Sequence, residues 1–437
     1  MNGSRVKIFF AAVLMGAAIA SFTGCNRTAN QPEKGNASAE TVTVRFGMLP
    51  YGDHSYAIIG AKKGWFRDVG INVEYRPVKI EDLVPFVRNG SLDAGSVPPG
   101  VIVAAYENGP AVVSFAFGDI FQGYAIMAQP GKGYKSVDDF LKDGMQIDEA
   151  ITATIRQMRG KAFAYPAEAA IKPFIDLALR KGKLTRTDVR PLVLDDPLTV
   201  NAMRNHQAEF QVGGVPSRLV LEREGFKPIL SSKDLASVAK PSPESEELSS
   251  IFTDGWACTR EYYNAHRDTV LRLASVNYRI TKLMNEHQDE ALAIHMPYLS
   301  QITGQTFTAA EGRIFYNSLD PFYTFEAQRD WYHNPSSVYY FKNLNGAIIN
   351  SFIKQNIFSQ RPPAVSDVIV ADEVYTTLED YRSKTDTLLS QIGSTPGIRT
   401  PDERDQLARA RSLYDAYDYL DAYRTAERLV GRLRGGK

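Results

Sequence analysis

Cysteine is almost missing from this chain: Cys25 and Cys258 are the two among 437 residues. A disulfide-stapled scaffold is therefore excluded. Charge of one sign is missing as well, since 50 basic residues meet 50 acidic ones. Without a basic excess to neutralise phosphates, nucleic acid is not an expected partner. Histidine is sparse, at positions 54, 206, 266, 287, 295 and 333. His287 and His295 are eight apart and read as a surface pair, because no third ligand type clusters with them. No G-x-S-x-G, H-E-x-x-H, glycine-rich phosphate loop or Cys-x-x-Cys occurs, so no catalytic residue, metal or cofactor is nominated. No 20- to 50-residue repeat is visible.

A membrane-spanning run is lacking too. The apolar stretch 8–20 has 13 residues, short of the roughly 20 that cross a bilayer. It follows Arg5 and Lys7 and leads through Ser21-Phe22-Thr23-Gly24 to Cys25. That order of positive, apolar and small residues is a secretory signal, expected over residues 1–24. The residues before Cys25 resemble a lipobox, with Phe22 where Leu is usual, so Cys25 is the expected lipidation site. Past the cleavage point the chain carries two more acids than bases. Residues 25–40 are polar, with Asn, Gly and Pro and no apolar period, which predicts a disordered tether. Cys258 sits in the apolar run Gly255-Trp256-Ala257-Cys258 and reads as a buried, inert thiol.

The rest has ordinary globular composition, 44% hydrophobic and 23% charged. Val42, Val44 and Phe46 alternate with polar residues, as a half-buried strand does. Strand and helix signals then succeed one another to about residue 119, predicting a parallel sheet flanked by helices. A second such unit starts near Tyr124, residues 231–250 read as a loop, and a strand returns at 251. Thr308 with Glu311 forms a capping box. Residues 331–437 are mostly helical. Their aromatics, among them Trp331, Tyr339, Tyr417 and Tyr423, are expected to pack on their own chain.

Two phrases carry a family resemblance. The first is Gly60-Ala61-Lys62-Lys63-Gly64-Trp65-Phe66, followed by Gly70-Ile71-Asn72-Val73. The second is Val84 to Gly95, VPFVRNGSLDAG. In this order they resemble the nitrate/sulfonate/taurine-type solute-binding proteins of ABC importers. The resemblance implies an α/β clamshell of the type II periplasmic-binding-protein kind, with mixed or parallel sheets and a C-terminal helical extension. Lobe 1 would comprise 41–119 and 251–330, lobe 2 residues 120–250, and the extension 331–437. It also implies an exported, lipid-anchored, non-enzymatic receptor that takes a small organic or anionic solute between its lobes and hands it to an ABC permease in the membrane. Two alternatives stay open: a sensor or assembly lipoprotein using its C-terminal helices for a protein partner, and an enzyme on the same fold making a pyrimidine precursor. The Cys- and His-rich motif expected of that enzyme is absent.

Ligand would sit where loops after the strands converge. Those loops nominate Tyr51, Gly52, His54, Ser55, Ser96, Pro98, Phe121, Gln122, Tyr165, Glu168, Gly214, Ser217 and Arg218. Each has a plainer role available. Tyr51 and Phe121 would be pocket walls or packing aromatics. Ser55 and Ser217 suit helix caps, and Asp93 is expected to be structural. Glu168 favours a cationic or hydroxylated ligand, whereas Arg218 would favour an anion.

Overall fold

Val44, Phe46 and Met48 alternate inward on the first strand, β1 (Val42–Met48), and are buried. The chain then winds through strands β2 (Ile71–Pro77), β3 (Ala94–Ser96) and β4 (Val112–Phe121). Next come β5 (Ala125–Ala128), β6 (Ala162–Tyr165), β7 (Arg190–Val193), β8 (Phe210–Gln211) and β9 (Lys227–Ser231). The last is β10 (Phe252–Thr259). The computed structural model describes residues 41–109, 111–394 and 400–435. The signal 1–24, Cys25 and the tether 25–40 lie outside the described residues.

The strands form two five-stranded sheets, ordered β2-β1-β3-β10-β4 and β7-β6-β8-β5-β9. Strand–helix rhythm alone predicts parallel pairing, and β1 is parallel to β2 and β3, as β6 is to β7 and β8. Each sheet nevertheless holds one reversed strand. β10 runs antiparallel to β3 and β4, and β5 antiparallel to β8 and β9. The reversal belongs to the strands that follow a passage from one sheet to the other. β5 starts just after residues 122–124 leave the first sheet, and β10 brings the chain back into it.

The phrases that carry the resemblance are structural. Gly64 and Gly70 have φ of 77° and 74°, a region open to glycine at no steric cost. They bracket Trp65 and Phe66. Phe66 stacks 6.0 Å from the fully buried Trp256, and the Arg279 guanidinium lies 4.3 Å above Trp65. Asp93 accepts from the Arg45 backbone N–H at 2.8 Å and from its guanidinium at 2.6 and 3.0 Å, tying β1 to the turn before β3. Burying side chains such as Phe66 contributes about 1.5–3 kcal/mol each.

Two local expectations change. Residues 231–250 are not plain loop, because Ser231 caps a helix at Ser232–Ala236 and a 3-10 turn follows at Glu246–Ser250. His295 is not on the surface. It is fully buried, with Nε2 2.9 Å from Ser55 Oγ and Nδ1 2.8 Å from the Tyr316 hydroxyl. The eight-residue spacing of His287 and His295 misleads because His287 is the exposed N-cap of the helix Gln288–Thr303, whereas His295 lies inside that helix on its buried face. The capping box at Thr308 and Glu311 forms as expected.

The C-terminal helices pack on the chain itself. Tyr375 stacks on Phe325 at 4.5 Å and on Tyr332 at 4.6 Å, and Tyr419 packs on Phe325 at 5.4 Å. Val370 N–H donates to the Ser114 carbonyl at 2.9 Å, so the extension covers part of the edge strand β4. Among the described residues no helix is long and apolar enough to cross a membrane.

Candidate functional site

The passages between sheets are lined by aromatics. Phe121, at the end of β4, lies 4.7 Å from Tyr124 and 4.9 Å from Phe252, the first residue of β10. These three rings and Tyr51 wall a cavity of about 20 Å³ between the sheets. Asp53, His54 and Glu168 supply its polar lining, and Ile80, Pro98, Ala170, Gly214 and Val215 complete it. No Lys or Arg is among these lining residues. Tyr51 also borders a wider neighbouring cavity of about 260 Å³ with Asp196, Asn201, Arg204, Ser217 and Thr303.

Local sequence places the acids. After β1, Pro50 and an extended Tyr51 (φ −122°) precede a single helical turn, Gly52–Ser55. That turn puts Asp53 and His54 under the cavity, both buried. His54 Nδ1 is 2.8 Å from Ser96 Oγ at the end of β3. Its Nε2 is 3.5 Å from Asp53 and 3.7 Å from Asp254 on β10. A bulge in the β4–β10 pairing falls between Asp254 and Gly255, and bulges re-aim side chains next to functional sites. Gly255 is required there, since a Cβ would strike the Ala116 carbonyl oxygen.

Burial dominates the electrostatics. Glu168 is pushed up to about 8 by desolvation, then by Asp196 and Asp53, against a hydrogen bond from the Tyr51 hydroxyl. Asp196 is pushed up to about 6 by desolvation, although it accepts from Ser217 at 2.7 Å and the Gly214 N–H at 3.3 Å. Asp119, Asp254 and Asp320 are raised well above the carboxylate range, first by burial and then by neighbouring carboxylates. Burial lowers His54, and it lowers His295 to about 3. The Cys258 thiol is buried and pushed up, which suits an inert side chain.

Of the residues nominated from sequence, Tyr51, His54, Pro98, Phe121, Glu168 and Gly214 line the inner cavity. Ser217 borders the outer one. Ser96 stands one layer back, behind His54. The others lie elsewhere. Gly52 packs against Phe315, and Ser55 bonds His295 instead of capping a helix. Gln122 donates to the Ser318 carbonyl at 3.2 Å, and Tyr165 packs on Phe163. Ser217 sits inside the first turn of Val215–Arg223, whose N-cap is Gly214. Arg218 donates to Glu222 at 2.8 Å and to the Gly123 carbonyl at 2.9 Å, so its charge is engaged away from the cavity. Sequence reasoning missed Asp53, Tyr124, Asp196, Phe252 and Asp254. The available signal was an acid inside an apolar strand, Phe252-Thr253-Asp254-Gly255-Trp256.

The fold has known counterparts. The periplasmic aliphatic sulphonate binding protein SsuA from Escherichia coli superposes with a TM-score of 0.55 at 13% identity, over 78% of this chain and 100% of that one. The alkanesulfonate-binding protein SsuA from Xanthomonas axonopodis pv. citri, bound to MOPS, gives 0.55 at 14% identity over 76% and 99%. The periplasmic nitrate-binding protein NrtA from Synechocystis PCC 6803 gives 0.55 at 12% over 79% and 90%. No curated protein matches the chain by sequence. The model of the NMT1-like family matches residues 37–296. With that match across more than half its length, and two sheets arranged as in the periplasmic binding proteins it superposes on, the chain belongs to the NMT1-like family.

Proposed function

We propose that this chain is the receptor of an ABC-type importer, tethered outside the cytoplasmic membrane by lipid on Cys25. We further propose that its solute is positively charged or rich in hydrogen-bond donors. Residues 41–119 with 251–330, and residues 120–250, would be the two bodies that close over it. The observation that carries the solute class is the cavity lining: Asp53 and Glu168 among four aromatic rings, with no Lys or Arg. Such walls attract cations through ring faces and carboxylates together. They offer no positive side chain to a sulfonate or nitrate. The solute-binding fold supports transport, and the C-terminal helices bury their aromatic faces within the chain, so no observation favours a protein-partner reading.

A thermal-shift screen tests this. Small amines, amidines, aminopyrimidines and divalent cations stand against taurine, alkanesulfonates and nitrate. A bound solute at one hundred times its Kd stabilises by about 2.7 kcal/mol. Shifts confined to the positive or donor-rich set support the reading. Shifts confined to the anions sink it.

A further inference from the structure

At and just beneath the cavity floor three ligating groups face one another, Asp53 and His54 lining the cavity and Asp254 behind them. His54 Nε2, an Asp53 oxygen and an Asp254 oxygen all lie within 4.8 Å of each other, and all three residues are buried. Apart from the Asp53 carboxyl it faces, Asp254 has no side-chain hydrogen-bond partner. His54 is oriented from behind. The Ser96 hydroxyl lies 2.8 Å from His54 Nδ1 and 3.5 Å from the Gly255 carbonyl oxygen. With its proton on Nδ1, His54 presents the Nε2 lone pair between two carboxyl groups at 3.5 and 3.7 Å. Two carboxyl groups and an imidazole nitrogen facing one another in a buried site are held together by a shared proton or by a metal ion. A ring nitrogen whose partner nitrogen is held by a hydrogen bond is the arrangement in which histidine ligates metals.

The dimensions fit one ion. Nitrogen and oxygen ligands at 2.0–2.1 Å from a tetrahedral Zn²⁺ stand about 3.3–3.4 Å apart, close to the separations here. The cavity of about 20 Å³ above Asp53 and His54 is roughly the room that one water requires. A fourth ligand position therefore opens into the cleft. The Asp254 N–H donates to Asp119 at 3.0 Å, which fixes this stretch of β10.

We infer that Asp53, His54 and Asp254 bind one divalent transition-metal cation of the zinc class at the floor of the cleft. This rests on the reading of the cleft as a site for positive charge, and narrows it. A nitrogen ligand beside two carboxylates selects such a cation over Ca²⁺ or Mg²⁺, which prefer all-oxygen shells.

The test uses the untagged chain stripped with chelator. One equivalent of Co²⁺ is expected to give the visible bands of a tetrahedral site, to be displaced by Zn²⁺, and to be unaffected by excess Ca²⁺ or Mg²⁺. His54→Gln and Asp254→Asn abolish the bands, and Asp53→Asn provides a third variant should either fail to fold. Ser96→Ala weakens Zn²⁺ binding by about 10–100-fold, as loss of a supporting hydrogen bond does. His333→Ala, at a surface histidine bonded to Glu379, leaves binding unchanged. Absence of the bands in the unaltered chain, or their persistence in folded His54 and Asp254 variants, overturns the site. Amines shifting the melting temperature while Zn²⁺ and Co²⁺ do not also overturns it, and leaves the positive-solute reading standing. Binding of sulfonates or nitrate alone removes both.

Discussion

Gly214 leaves room for the Tyr51 ring: a Cβ at Gly214 would lie 3.0 Å from Tyr51 Cε1 and 3.1 Å from Cδ1. The contact joins the loop after β1 to the start of the helix Val215–Arg223, and Tyr51 separates the inner cavity from the wider outer one. Gly214 has φ −64°, so alanine is allowed by the backbone and acts only through space. Gly214→Ala is expected to displace Tyr51, to cost about 1 kcal/mol or somewhat more from overpacking, and to weaken solute binding. Urea denaturation and calorimetric titration of the ligand found by the screen check the two effects separately.

Glu168 makes stability pH-dependent. Its folded value near 8 lies above its ordinary value of 4.5. Between those values the folded chain holds a proton that the unfolded chain has released. Stability from this group is thus full below about pH 4.5 and declines as pH rises to about 8, by at most about 1.4 kcal/mol per pH unit. Glu168→Gln should flatten that slope in urea midpoints taken from pH 5 to 8. A cationic solute favours the ionised carboxyl, so its affinity should rise with pH in the unaltered chain and change less in the variant.

Gly255 offers a stability prediction of a different size. A methyl group there meets the Ala116 carbonyl oxygen and stands 2.7 Å from Phe117 Cα, both backbone atoms that cannot swing aside. Gly255→Ala should cost more than about 4 kcal/mol, at the extreme of single substitutions. Thermal unfolding monitored by circular dichroism, or loss of soluble chain on expression, reports it. A mild effect would mean that the β4–β10 bulge relaxes.

The lipid anchor is tested at Cys25. Cys25→Ala should move the chain from the membrane fraction to the soluble one and remove the lipid mass from the mature N-terminus. Unchanged fractionation and unchanged mass would show that the residue carries no lipid.

Legibility differed between the scaffold and the site. Trp65 and Phe66 announce their role in sequence because glycines flank them and apolar residues recur on both sides, a local pattern. The aromatic C-terminus could likewise be read as packing inward. Asp53 was harder, since an acid in the first turn of a helix is ordinary. Asp254 reads as one polar residue in a core strand. Its meaning depends on β10 returning antiparallel beside β4, with a bulge that aims it at His54, some 200 residues earlier in the chain. Arg218 shows the converse: its sequence position suggested an anion site, but the Gly123 carbonyl and Glu222 claim its guanidinium.

The sequence by itself determined the elements that rest on near neighbours. These are the alternation of β1, the glycine-bracketed Trp65-Phe66 turn, the Thr308 capping box and the inert Cys258. They follow from backbone preference and from the period of apolar residues, which act over a few positions. Only the tertiary structure decided which strands run antiparallel, which histidine is buried, and that Asp53, His54 and Asp254 converge without a cation beside them. Those relations join segments about 200 residues apart through sheet register and a strand bulge. The energy that holds such acids together comes from the whole core, and no local pattern records it.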